Sequence, residues 1–409
     1  MKSFVAYSLI AAEAAHAFPW VRNLPGVDSS MLPSQYQKRQ QAPAPGGPGS
    51  AETCPFNPNH VNAVGIQPGQ YNNARNGRKG NERGGYQVPA PGDDAHRYIA
   101  PTAQDIRGPC PGLNTAANHG FLARDGVTTY AELVDAQQNV YNVGFDLSNL
   151  LAFLGLQADG DLITTKLSIG CDATTRTSIA PLLTGSQPGL SGHNKFEGDT
   201  SLTRNDFFTG NGDNYSFNRT LFDKMSATTG GLHDLNNLAQ YRLERYDESL
   251  FENPNFYFGP LSLLLYGAAS FLYELFPSGP NYIPDQATMD SFFIEERLPA
   301  NWINRVEPYS NRLVVEQILA MYLLRPVAFG GNVGDGTFAP LNWRGLIVNG
   351  TLGNDIQPAA VSCLLYQLAT QSVPSTLNGL VTPTVEAISF FLTRVAPEFA
   401  NLGCPRPLT

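Results

Sequence analysis

Apolar positions along this chain repeat at helical rather than strand spacing. Leu133 and Val140 repeat seven residues apart, as do Val134 and Tyr141, the pattern of one buried helix face. Just before them, Thr129 and Glu132 have the spacing of a capping box: the hydroxyl accepts from the third helical amide and the carboxylate reaches back. Residues 314–324 (VVEQILAMYLL) and 384–395 (TVEAISFFLTRV) predict two further helices, the first stopped by Pro326. Residues 256–273 (FYFGPLSLLLYGAASFLY) carry no charge at all. A bilayer span needs about 20 predominantly apolar residues. Gly259 and Pro260 near the start of this run, with Tyr and Ser throughout, favour a helix buried in a soluble core, lining an apolar pocket. No alternating run is long enough to demand a large sheet. The predicted class is all-α, a mainly α single domain with long loops.

The polar stretches divide the chain. Residues 1–17 read as a secretory signal peptide, with Lys2 at the start, an apolar stretch and an Ala15-His16-Ala17 cleavage site. Residues 18–39 read as a pro-segment ending at the dibasic pair Lys38-Arg39. Residues 40–95 read as a flexible or extended arm. Within it QQAPAPGGPGS and NNARNGRKGNERGG offer almost no apolar face to bury, although Cys54-Pro55-Phe56 and residues 61–66 could dock on the body. The folded domain is then residues 96–409. Three N-x-S/T triplets, at Asn214, Asn218 and Asn349, agree with a secreted, extracellular protein.

Charge removes one class of partner. The 409 residues carry a formal net charge of -9, and only 15% are charged. Such a chain gains nothing from neutralising a phosphate backbone, so nucleic acid is not expected as a partner.

Five cysteines, an odd number, leave at least one outside any intramolecular bridge. Joining Cys363 to Cys404 would close a loop of about 42 residues and contribute roughly 4 kcal/mol in the chain-entropy model. Among Cys54, Cys110 and Cys171, either one pair bridges or all three stay as thiols. None of the spacings matches a zinc site.

The segment DIRGPCPGLNTAANHGFLARDG, residues 105–126, carries the chemistry. Pro111 suits the first turn of a helix, where its missing N–H costs nothing. The amides of Gly112, Leu113 and Asn114 would then point back at the Cys110 sulfur, lowering the thiol pKa and supporting an anion. A thiolate on haem iron needs such support, and the same arrangement would serve a redox-active cysteine.

This segment closely resembles the proximal signature of the fungal haem-thiolate peroxidases, the chloroperoxidases and unspecific peroxygenases. The resemblance continues through DGDLIT at 159–164, FEGDTSLTRND at 196–206, NPNF at 253–256 and residues 292–299, then Cys363 and Cys404. It covers residues 96–409 in order. It implies a mainly helical domain holding haem b, with Cys110 as axial iron ligand and an apolar channel opposite. It also implies a magnesium ion beside a haem propionate, bound by Glu197, the Gly198 carbonyl and the Ser201 hydroxyl, a hard all-oxygen set. Cys363 and Cys404 look like the family's C-terminal disulfide.

One part of the pattern is missing. Cleaving bound peroxide requires a group that moves a proton between its two oxygens. In the family a glutamate does so, held by an arginine in the peroxygenases or by a histidine in the Glu-His-Asp motif of the chloroperoxidases. Here that motif reads Glu-Gly-Asp, and the uncharged run 256–273 supplies neither arginine nor histidine. Glu274 is the carboxylate nearest the expected place, as an acid–base candidate or as a residue at a helix end. His119, nine residues beyond Cys110, reads as a structural hydrogen-bonding residue, and His60, His96, His193 and His233 are too scattered to form a ligand set.

Two functions follow. One is a secreted peroxidase or peroxygenase that uses hydrogen peroxide to oxidise or oxygenate small apolar, aromatic or lipid-like substrates. The other is a haem-binding member of the family with reduced peroxide activation, acting as a ligand-binding protein or a specialised secondary-metabolite oxidase.

Overall fold

A computed structural model describes residues 46–363 apart from 48, 180–185, 196–197, 278–281, 333–335, 343–345, 354–355, 357 and 362. The expected signal peptide and pro-segment, the helix at 384–395, Glu197 and Cys404 lie outside the described residues.

The class is mainly helical, as expected. The helices are α1 (Pro111–Asn118), α2 (Tyr130–Tyr141), α3 (Phe145–Asp159), α4 (Thr174–Thr177), α5 (Arg219–Thr229), α6 (Leu235–Glu252), α7 (Leu264–Leu275), α8 (Gln286–Phe293) and α9 (Asn311–Leu324). Seven short strands form three small antiparallel sheets among the described residues. β1 (Val127–Thr129) pairs with β2 (Lys166–Ser168). β3 (Tyr257–Phe258), β4 (Gly330–Asn332) and β5 (Phe338–Pro340) follow one another, and β6 (Ile347–Val348) pairs with β7 (Thr351–Leu352).

Capping chemistry sets several helix starts. The Thr129 hydroxyl accepts from the Glu132 amide at 3.2 Å and the Glu132 carboxylate accepts from the Thr129 amide at 3.0 Å, completing the predicted box. Asn218, Asp234, Asp285 and Ser310 cap α5, α6, α8 and α9 in the same sense. The predicted helix at 314–324 therefore begins three residues earlier, just after the Ser310 cap.

The uncharged run is not one helix. Its first residues form β3, where Phe258 pairs with Gly330, and Gly259 then donates to the Ser262 hydroxyl at the head of a tight turn, Pro260–Leu263. Pro260 opens this turn, and the α-helix starts only after it, at Leu264. Among the described residues no helix is long and apolar enough to cross a membrane.

α7 packs along α9, α2 on α3, and α6 against α5 and α9. Leu265, Tyr266, Ala269, Val315, Ile318 and Met321 are buried between them. Gly267 permits the close approach of α7 to α9, since a Cβ there would meet Ile318 at 3.3 Å and Val314 at 3.5 Å.

The arm is extended and fastened to the body by polar contacts. Cys54 bridges to Cys171, Val64 donates to the Gly120 carbonyl at 2.8 Å, and the Ala63 amide donates to Glu132. Buried Asn72 donates to the Asn142 side chain at 2.9 Å, Ala74 exchanges two bonds with the Asn139 side chain, and Gly77 and Gly80 donate to Asp135 and Gln138. The segment that lacks an apolar face is thus held on α2 by hydrogen bonds, while Tyr71, Ala74 and Val88 of the arm are buried.

Candidate functional site

Cys110 is the N-cap of α1, with Pro111 at the first helical position, as its flanking prolines predict. It stands as an exposed thiol, whereas Cys54, Cys171 and Cys363 are in disulfides. Cys404, the partner of Cys363 on the family resemblance, lies outside the described residues. The loop before Cys110 is closed by Asn114, which accepts from the Gly108 amide at 3.0 Å and donates back to its carbonyl at 2.9 Å. Gly108 also presses on the next chain segment: a Cβ there would sit 1.7 Å from the Ile169 carbonyl oxygen. Only glycine fits.

Two groups lie behind the thiol. The Tyr141 hydroxyl donates to the Gly112 carbonyl at 2.6 Å. Burial, and secondarily the charge of Cys110, push this phenol well above its ordinary pKa, so it stays protonated. Its ring meets Phe276, Phe292 and Trp302, with Phe276 and Phe292 stacked at 3.8 Å. Glu296 accepts from Asn114 Nδ2 at 2.6 Å. Burial raises its carboxyl pKa, against the opposing pull of that bond and of Arg107 and Arg204.

His119 is buried, as a structural residue should be. Its Nδ1 faces the His96 carbonyl at 2.8 Å and its Nε2 accepts from the Leu298 amide at 3.2 Å, which fixes a neutral imidazole with the proton on Nδ1. Burial pushes its pKa down to about 4, despite the helpful His96 carbonyl.

The second motif reaches the first through Arg204, which donates to the Pro109 carbonyl at 2.8 Å, one residue before the thiol. Two buried arginines of α6 hold the loop that carries Gly198 and Ser201. Arg242 bonds the Thr200 carbonyl and hydroxyl, and Arg245 Nε donates to the Ser201 carbonyl at 2.9 Å. Thr200 sits at φ 73, a left-handed conformation that these contacts sustain. Asp206 accepts from the Thr200 amide, Ser249 and Asn253, with Arg245 at 3.5 Å. The Ser201 hydroxyl makes no hydrogen bond among the described residues, and Asp199 is committed to the Tyr257 amide. Oxygen donors of this kind suit a hard cation, but Glu197, the charged ligand that the resemblance implies, lies outside the described residues.

The third part is α7. Arg242 lies over the Tyr266 ring at 5.2 Å, joining this helix to the loop of Ser201. Leu264, Ala268 and Phe271 are partly exposed apolar residues of α7, four and three apart on one face, and Leu261 in the turn before it is likewise partly exposed. That face carries no ionisable group. Glu274, in the last turn, is neither an exposed helix end nor a carboxylate without a partner. It forms an ion pair with Arg305, with the two side chains 17% and 22% exposed. Arg305 is anchored in turn, its carbonyl accepting from Gly85 and Asn142, its guanidinium over the Tyr309 ring.

Cys110, Gly198 and Ser201 are therefore brought into one connected region, while Glu274 is tied to the loop at 305–307. The sequence reading did not single out Tyr141, Arg204, Arg242, Arg245, Glu296 or Arg305. Arg204 and Glu296 lay within quoted stretches and Tyr141 on the predicted helix face, but without a role at the site; Arg242, Arg245 and Arg305 are joined to it by contacts across distant parts of the chain.

Residues 96–307, just over half of the chain, match the family described as "Peroxidase, family 2". An aromatic peroxygenase from Cyclocybe aegerita is 37% identical over 250 residues, 59% of this chain; the chain spans 65% of that protein's length, just under two thirds. A dothistromin biosynthesis peroxidase from Dothistroma septosporum is 31% identical over 341 residues, 76% of this chain and 81% of that protein. An aromatic peroxidase from Fusarium equiseti is 28% identical over 344 residues, 76% of this chain and 78% of its own length.

Proposed function

Because the chain belongs to family 2 of the peroxidases, we propose that it is a secreted haem-thiolate peroxidase or peroxygenase acting with hydrogen peroxide on small apolar substrates, aromatic or lipid-like. The observation that carries this reading is the Cys110 thiol, exposed at the start of α1 and bonded through Pro109 and Arg204 to the loop of Ser201. Cys110 would hold haem iron, and Gly198 and Ser201, with Glu197, would hold magnesium. When bound, haem would supply the redox centre through which hydrogen peroxide, the oxidant, acts on the substrate.

The residues of this chain do the rest. The N-terminal end of α1, at which Cys110 sits, favours its thiolate form through the helix dipole; the Asn114 amide donates to the Cys110 carbonyl and not, as expected, to the sulfur. Tyr141, locked on the Gly112 carbonyl, fixes the helix start without offering a proton near neutral pH. Leu261, Leu264, Ala268 and Phe271 form an apolar wall that excludes water and accepts a hydrophobic substrate. Glu274 enters as a positioning residue, since it sits in the last turn of α7 and its arginine, Arg305, comes from a separate loop and not from the 256–273 run where the peroxygenase pattern has it. The names of the Cyclocybe and Fusarium relatives support an aromatic substrate class.

The charge-free face of α7 favours a second reading: a family member with weak peroxide activation that chiefly binds an apolar ligand. Purified protein supplied with peroxide and a simple aromatic substrate separates the two. Oxidised product formed over many turnovers supports the first; haem-loaded protein that stays inert supports the second.

A further inference from the structure

The three N-x-S/T triplets differ sharply in the fold. Asn214 is 3% exposed, and both polar atoms of its side chain are buried without a hydrogen-bond partner. A sugar on its Nδ2 would have to pass through packed protein, so chains modified there cannot reach this fold. Asn218 is half-buried and occupied at both ends. Its Oδ1 caps α5 through the Leu221 amide at 3.2 Å, and its Nδ2 donates to Asn205 Oδ1 at 2.7 Å. A glycan there would displace Asn205 and disturb the cap.

Asn349 is the opposite case. It lies at the tip of the β6–β7 hairpin, where Val348 pairs with Thr351 and Asn349-Gly350 forms a two-residue turn. Both turn residues have positive φ, 49° and 75°, the geometry that the Asn-Gly pair serves. The Asn349 amide is tied to Asn342 Oδ1 at 2.7 Å, and its side chain is exposed, as is Thr351, which bears the required hydroxyl. Beside it Val348 leaves 59% of its surface to solvent, an apolar patch that a first sugar ring would cover.

We propose that Asn349 is the N-glycosylation site of the folded protein and that Asn214 and Asn218 carry no glycan. This rests on the secretory part of the reading above. In the transfer, Asn349 Nδ2 bonds to the anomeric carbon of a lipid-diphosphate-linked oligosaccharide. The carbon–oxygen bond to the diphosphate breaks, the lipid diphosphate leaves with the electron pair, and one amide proton passes to solvent. No oxidation state changes.

The test expresses the full chain in a secreting fungal host, treats the protein recovered from the medium with peptide N-glycosidase, and maps peptides by mass. Conversion to aspartate at Asn349 alone is expected. Asn349→Gln should abolish the enzyme-sensitive mass shift, while Asn214→Gln and Asn218→Gln leave it unchanged. Conversion at Asn214 or Asn218, or secreted protein with no sugar at Asn349, overturns the proposal. Protein held in the cytosol without sugar overturns it as well, and its location shows that the secretory reading, not the choice of site, has failed.

Discussion

At the scale of single residues, burial sets the protonation of His119. Its folded pKa, about 4, lies below the ordinary value near 6.5, so burial disfavours the charged form. Above pH 6.5 this costs nothing. As pH falls from 6.5 toward 4, the unfolded chain takes up a proton that the folded chain refuses, and up to about 3 kcal/mol of stability is lost. His119→Gln should be about 1–3 kcal/mol less stable than the parent at pH 7, having lost the paired bonds to His96 and Leu298. In urea melts that deficit should shrink at pH 5; a deficit that stays constant would contradict the neutral, buried imidazole. Arg245 is the other residue on which much turns. Arg245→Met would strand the buried Asp206 carboxylate and free the Ser201 carbonyl, at a cost of about 3–5 kcal/mol. Thermal melts of the folded variant read that loss directly.

At the scale of elements, local signals were legible where one short motif does the whole task. The Thr129–Glu132 box and the Pro111 helix start need only residues within one turn, and both form as read. The run at 256–273 was misread as one helix because apolar content cannot separate a buried strand from a buried helix; Pro260 and the pairing of β3 with β4 decide it. Glu274 could not be placed from sequence either, since Arg305 lies 31 residues further along. With that pair in view, Glu274→Gln should leave the haem spectrum unchanged and peroxide turnover within about tenfold of the parent, less than the 10²–10⁴-fold usual for a lost acid–base group. The loop of Gly198 and Ser201 gives the matching expectation for the metal. Chelation of divalent ions, or Glu197→Gln, should lower both haem retention and the melting temperature, read by gel filtration and thermal melts.

At the scale of the whole molecule, the arm is the part least legible in the sequence. Its composition excludes an apolar core of its own, yet Asn72, Ala74, Gly77 and Gly80 dock on polar side chains of α2 that no periodicity marks. Which of Cys54, Cys110 and Cys171 pair was likewise open in the sequence; the fold joins Cys54 to Cys171 across 117 residues and leaves Cys110 as the thiol. Replacing both bridged cysteines with serine should cost about 2–5 kcal/mol. Because Gly170, next to Cys171, packs against Gly108, it should also loosen haem retention. The central claim is that Cys110 ligates haem iron, and the spectrum of the reduced, carbon-monoxide-bound protein tests it most directly. The parent should show the long-wavelength Soret band given by a thiolate ligand, and Cys110→Ala and Cys110→His should both abolish it. A parent protein that binds haem without that band, or a Cys110→Ala variant that keeps it, would contradict the account.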